Sequence, residues 1–270
     1  GLLLGGGAYT LCRLILGHIA ERSEGIEDFK KNKLPYVMDV MAKYMDARIA
    51  FEVEQSGFFE ANFLAKEGLI HRDRFTGMFG LVGLADAVNI LMTKEGRNDR
   101  FGHSDAATQL GVEIMDIIND FNNNHFNKYC EGTGGHFLLH AQVGIAEDKG
   151  IAPGTRIPIG EEPDELVDHL DVISHFHKYF VSGTGDIFPM DLTVHKNPEY
   201  VLDIIKGSWQ KGIRYLSFYS SESDVIRITG YLVKRSEIEK YEQGIAVLQN
   251  TTQLGTGAKH NGKILERKVR

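Results

Sequence analysis

The residues whose types and spacing could do chemistry are few. The most telling run is Asp224-Val-Ile-Arg-Ile-Thr-Gly-Tyr-Leu-Val-Lys234, a glycine set between two β-branched stretches that favour strands. On pattern alone, Gly230 reads as a turn, a bulge or a close backbone approach. Cys130 and Glu131 lie in a glycine-rich loop and superficially resemble a nucleophile beside its base. Cys12, the other cysteine, falls inside an apolar segment and reads as a small buried hydrophobe. His140 and Gln142 share one face of an expected strand, where they could touch a substrate or satisfy nearby backbone. His175 and His177 have the same spacing, but no third ligand completes a metal set, so no metal site is read there. Asp186 and Glu131 are the acidic candidates for proton transfer, against the ordinary fate of loop carboxylates as solvated groups. The runs Gly132-Thr-Gly-Gly135 and Gly5-Gly6-Gly7 lack the Lys-Ser/Thr of a P-loop and the spacing of a dinucleotide fingerprint, and read as tight loops.

These groups need elements to hold them. Leu11, Leu14, Ile15 and Ile19 recur at helical spacing and predict a helix over 8–22, fed by the triple-glycine loop. Pro35 suits a helix first turn, and Val37, Met38, Met41, Tyr44, Met45 and Ile49 continue a core stripe to about Ser56. Further helices are expected over 57–67, 80–95 and 104–121. Strand-like runs follow at 136–145, 173–181, 213–219 and 225–233, with loops over 146–164 and 183–195. Asn197-Pro198 opens a helix to about Lys211, and Ser236-x-x-Glu239 is a capping box for a last helix over 237–247.

The chain has 270 residues, 42% of them hydrophobic and 25% charged, which suits an ordinary globular protein. A net charge of -7 opposes nonspecific binding to nucleic acid or anionic membrane. No apolar run approaches the ~20 residues that span a bilayer. Two cysteines without a CxxC motif indicate neither a disulfide scaffold nor a zinc site, and fit a reducing cytoplasm. The opening Gly-Leu-Leu-Leu-Gly-Gly-Gly, with neither an initiator Met nor a basic signal region, reads as the middle of a fold.

Arg227-Ile228-Thr229-Gly230-Tyr231 resembles the signature of glycyl radical enzymes, Arg-Val/Ile-x-Gly-Tyr/Phe near a C-terminus. Gly5-Gly6-Gly7, Ala20-Glu21-Arg22-Ser23-Glu24, Lys66-Glu67-Gly68-Leu69-Ile70, His140-Ala141-Gln142, Glu162-Pro163-Asp164 and Ile264-Leu265-Glu266-Arg267 look like YjjI-type members of that superfamily, which includes pyruvate formate-lyase. The resemblance implies an α/β fold, half of a ten-stranded barrel wrapped by helices with a C-terminal glycyl radical loop. Residues 1–195 would complete the barrel, mainly helical at first with strands after 135, and 196–270 would form the glycine radical domain.

It further implies an oxygen-sensitive enzyme of anaerobic metabolism that stores a backbone radical at Gly230. Hydrogen loss from the glycine Cα leaves a planar radical shared with the flanking amides, an arrangement any Cβ would crowd. The partners implied are a radical S-adenosylmethionine activase carrying an iron–sulfur cluster, a small-molecule substrate and a second copy in a homodimer. Arg227, Thr229 and Tyr231 would frame the radical. A cysteine thiyl radical would attack the substrate, and the cysteine loop of such sequences leads into the segment with which this chain begins. The thiyl cysteine is therefore expected upstream of Gly1, with Cys130 as the internal alternative. Rival expectations are a radical-bearing subunit that complements a partner chain, and a non-catalytic scaffold in which Gly230 is only a kink.

Overall fold

The computed structural model describes residues 4–141, 151–158, 160–190, 192–220, 224–228 and 231–247. The triple glycine feeds not a helix but strand β1 (Gly7–Ile15), and only the short α1 (Leu16–Glu21) follows. Leu11, Leu14 and Ile15 fit a helical period, but so short an apolar run fits either element. Parallel pairing with β2 (Phe75–Val82) decides it, with Leu11 beside Met78 and Arg13 beside Gly80. β3 (Leu138–Ala141) pairs parallel on the other side of β2, giving the order β1-β2-β3. Residues 80–82, where a helix was expected to begin, are thus the end of the central strand. Buried almost throughout, it reads as a continuous apolar run because both of its faces are covered.

Parallel strands need long crossovers, and helices supply them. α2 (Ile26–Asp28) runs through a π-helical turn at Phe29–Lys33 into α3 (Leu34–Glu54), where Pro35 sits in the first turn. Leu34, Met38, Met41, Met45 and Ile49 form its buried stripe, while Tyr44 faces outward. The helix expected over 57–67 is broken into α4 (Phe58–Ala61) and α5 (Phe63–Lys66) at Asn62, whose side-chain oxygen accepts the Leu64 N–H at 2.9 Å. α6 (Leu84–Lys94) and α7 (Asp105–Asn124) cross from β2 to β3, and the Ser104 hydroxyl caps α7.

One core lies between these helices and one face of the sheet, built from Leu14, Phe79, Leu81 and Leu139 against Met45, Leu91, Ile114 and Ile118. Its tightest approach is at Gly77, where a Cβ would lie 2.5 Å from the Phe137 ring and 3.1 Å from the Met45 methyl. Gly77→Ala is therefore expected to lower stability by about 1–3 kcal/mol, read as a fall in the urea midpoint. An unchanged midpoint would mean that the Phe137 ring moves aside freely.

The expected strand at 173–181 is instead α8 (Leu166–His177). Its buried positions His169, Leu170, Ile173, Phe176 and His177 follow a helical repeat, which outweighs its β-branched and aromatic content. His175 is exposed and His177 buried, so they do not share a face as they would on a strand. β4 (Phe188–Met190) pairs parallel with β5 (Phe218–Ser220) across α9 (Pro198–Gln210). Asn197 caps α9 as expected, its side chain accepting from the Tyr200 N–H. Leu170, Ile173, Phe188 and Ile213 make a second, smaller core.

The run at 225–233 is two antiparallel strands, β6 (Val225–Ile228) and β7 (Tyr231–Lys234), followed by α10 (Arg235–Glu242). The cap expected from Ser236 comes instead from Asp224, ahead of the hairpin. The Ser236 amide donates to Asp224 Oδ1 at 3.1 Å, and the Ser236 hydroxyl donates to Oδ2.

Candidate functional site

Side chains on a strand alternate between faces. Cys12, Leu14, Phe79 and Leu139 point into the helix-covered core, so Leu11, Arg13, Met78, Gly80, Leu138 and His140 occupy the other face of the sheet. A cavity of about 370 Å³ opens on that face, between Met78, Leu138 and His140 on one side and Phe180–Gly183, Gly185 and Tyr215 on the other. A broader cleft of about 600 Å³ lies between the N-terminal ends of α7 and α8 and is rich in carboxylates. The smaller cavity is the candidate site because it alone of the two abuts the inner strand face. His140 brings to it an imidazole whose pKa burial pushes down, with Nδ1 buried and without a partner among the described residues. Gln142, expected beside it, lies outside the described residues.

A buried polar network holds the cavity wall. Asp186, Arg156 and His169 are each buried, with His169 Nε2 2.9 Å from Asp186 Oδ2 and Arg156 Nε 3.6 Å from Oδ1. Burial alone would raise the Asp186 pKa, but its contacts with His169, a hydrogen bond included, and the Arg156 guanidinium outweigh it and hold the carboxyl below its usual range. Arg156 Nε also donates to the Gly185 carbonyl, and the Thr155 and Thr184 hydroxyls meet at 2.8 Å. Asp186 is therefore a buried strut rather than a solvated loop acid.

His177 completes the network. Its Nδ1 accepts the Arg214 amide at 3.1 Å and the Thr184 amide at 3.4 Å, which places the proton on Nε2, a buried atom without a partner among the described residues. Burial, opposed by Asp186 and aided by Arg214, pushes its pKa down to about 4. The unfolded imidazole titrates near 6.5, so folding disfavours the proton. The stability His177 contributes is complete above pH 6.5 and is lost as pH falls towards 4, on the order of 3 kcal/mol. His177→Gln is expected to flatten that part of a stability–pH curve measured by urea unfolding. An unaltered slope would sink the assignment.

The two cysteines are elsewhere. Cys12 lies on β1, not in a helix, and packs on the core side of the sheet. Cys130 is fully buried in the same core, where desolvation raises its pKa, while Glu131 next to it is exposed. Burial and exposure separate the thiol from the carboxylate, so they form no nucleophile–base pair. Arg227 and Tyr231 lie on β6 and β7, where Arg227 pairs with Leu232 and Ile228 with Tyr231. Thr229 and Gly230, the two residues between, lie outside the described residues. Sequence reasoning missed His169, Arg156 and Tyr215, which no local motif marks and which only the tertiary fold brings to this wall. Among the described residues no group of three His, Cys, Asp or Glu could hold a metal ion, and no helix is long and apolar enough to cross a membrane.

A three-stranded parallel sheet and a two-stranded parallel pair, both with helical crossovers, precede a hairpin, an arrangement that matches solved glycyl radical enzyme folds. The chain superposes on the anaerobic ribonucleotide reductase of Thermotoga maritima crystallised with dATP and CTP at a TM-score of 0.64 and 18% identity, covering 90% of this chain and 45% of that one. A glycyl radical enzyme of Archaeoglobus fulgidus gives 0.64 at 12% identity, over 94% and 43%. The architecture is accordingly half of the barrel of that class, wrapped by helices. Within the class, the family model for YjjI-like glycyl radical enzymes matches residues 1–270, and the chain belongs to that family. An uncharacterized protein of Haemophilus influenzae is 46% identical over 268 residues, 98% of this chain and 52% of its own length. The chain spans about half the length of the curated relatives it matches.

Proposed function

We propose that this chain is the radical-bearing portion of an anaerobic glycyl radical enzyme, with residues 1–195 in the barrel and 196–270 as the glycine radical domain. Gly230 stores the radical, framed by Arg227, Thr229 and Tyr231. The observation that carries this is the position of the signature in a chain of this family: Thr229-Gly230 is the two-residue link between Ile228 and Tyr231, which pair across β6 and β7. A separate activase with S-adenosylmethionine and an iron–sulfur cluster removes the glycine hydrogen, in a reducing, oxygen-free cytoplasm. The radical passes to a cysteine thiyl that attacks a small-molecule substrate in the barrel, and the whole protein acts as a homodimer. Cys12 and Cys130 both belong to the helix-covered core, which favours a thiyl cysteine preceding Gly1 in the full-length protein.

The test is anaerobic electron paramagnetic resonance of the full-length protein after incubation with its activase and S-adenosylmethionine. A doublet from a single α-hydrogen is the expected signal. Silence with an activase proven competent on another substrate would remove the radical reading.

A further inference from the structure

The cavity on the inner strand face has a chemical character of its own. Met78, Leu138, Phe180 and Val181 give it apolar walls, and Ser182 and Tyr215 add hydroxyls at its edge. Among its described lining residues there is no Lys, Arg, Asp or Glu. Arg13 is on the same sheet face, but β2 lies between it and His140, and it does not line the cavity. Gly80 stands between them in register and contributes no side chain.

His140 is the polar group on the floor. Burial disfavours its charged form, so at neutral pH it offers one donor and one acceptor. Its Nδ1 is buried without a partner among the described residues, and an unsatisfied buried polar atom is costly unless something supplies the missing hydrogen bond. A volume of about 370 Å³ sits at the small end of ligand sites, which run from about 300 to 1,000 Å³.

We propose that this cavity binds a small uncharged molecule, its carbon chain against Met78, Leu138 and Phe180 and its single hydroxyl or carbonyl group hydrogen-bonded to His140. A carboxylate or phosphate would be stripped of water there with no cation among the described lining residues to receive it. His140 thereby sets specificity for neutral over anionic substrates. This rests on the reading that the inner strand face is the substrate chamber of the proposed enzyme.

The experiment uses the full-length protein without activation and three probes of equal chain length, butan-2-ol, butan-2-one and butyrate. Binding is followed by the imidazole NMR resonances of His140. The alcohol or the ketone is expected to shift those resonances and to bind at least about tenfold more tightly than butyrate, a gap of roughly 1.4 kcal/mol. His140→Phe should remove that preference, and His140→Gln, which keeps a donor and an acceptor, should retain part of it. Butyrate binding as tightly as the neutral probes would overturn the proposal, all the more if Arg13→Gln abolished it. So would an unperturbed His140 with all three probes, or unchanged alcohol binding in a folded His140→Phe. Because no radical is needed, selective binding without a doublet would sink the radical assignment alone, and a doublet without selective binding would sink this one alone.

Discussion

Gly230→Ala is expected to abolish the resonance doublet completely and to leave the aerated chain uncut. A radical on a glycine Cα is planar and shared with both neighbouring amides, and an alanine methyl would twist it out of conjugation. The unsubstituted protein, once activated and exposed to air, should break at its own radical position, separating Thr229 from the tail that begins with Tyr231. Mass spectrometry of the fragments reads this directly. The variant also separates chemistry from folding. If Gly230 were only a kink in a scaffold, Ala would cost stability while wild-type and variant would be equally silent in resonance and equally intact in air. A doublet that survived in Gly230→Ala would move the radical elsewhere.

The second large effect is on stability. Asp186→Ala is expected to lower the unfolding free energy by about 3–5 kcal/mol. The carboxylate faces buried Arg156 and His169 and also accepts the Ile187 amide at 2.7 Å. Removing it takes away the negative charge opposite a buried guanidinium whose own pKa burial already depresses. Urea unfolding measures the loss, and a change below about 1 kcal/mol would show that the pair is solvated in practice. Replacing the pair together, Asp186→Leu with Arg156→Met, should recover part of the loss, since apolar groups of similar volume tolerate such a site better than a lone charge does.

How much of this was legible in the sequence depended on how local the determinants were. Pro35 with its methionine stripe and Asn197-Pro198 carry their instructions within one or two turns, and the structure has those helices where they were read. β1 and α8 were read the wrong way round. The apolar spacing of Leu11 to Ile15 suits a helix until β2 offers a partner, and the run from β-branched Ile173 through Phe176 suits a strand until a helical repeat of buried positions claims it. The signature around Gly230 was readable because it is contiguous. The network behind the cavity was not, because Arg156, Asp186 and the two α8 histidines, His169 and His177, come from three separate segments and meet only once α8 has packed.

The register of the central sheet also dictates an order of events during synthesis. Gly7 pairs with Phe75, so β1 leaves the ribosome well before β2, its partner in this sheet, and waits for it while five short or long helices are made. At ~5–20 residues per second that wait lasts roughly 3–14 s, during which Leu11, Leu14 and Ile15 lack their β2 neighbours. Closing so distant a contact is slow in itself, since loop entropy is spent before the pairing rewards it. The nascent chain therefore depends on α3 to shelter β1 early, and a chaperone-poor, dilute translation system should release more misassembled protein when the methionines of that helix are replaced than when the hairpin is altered.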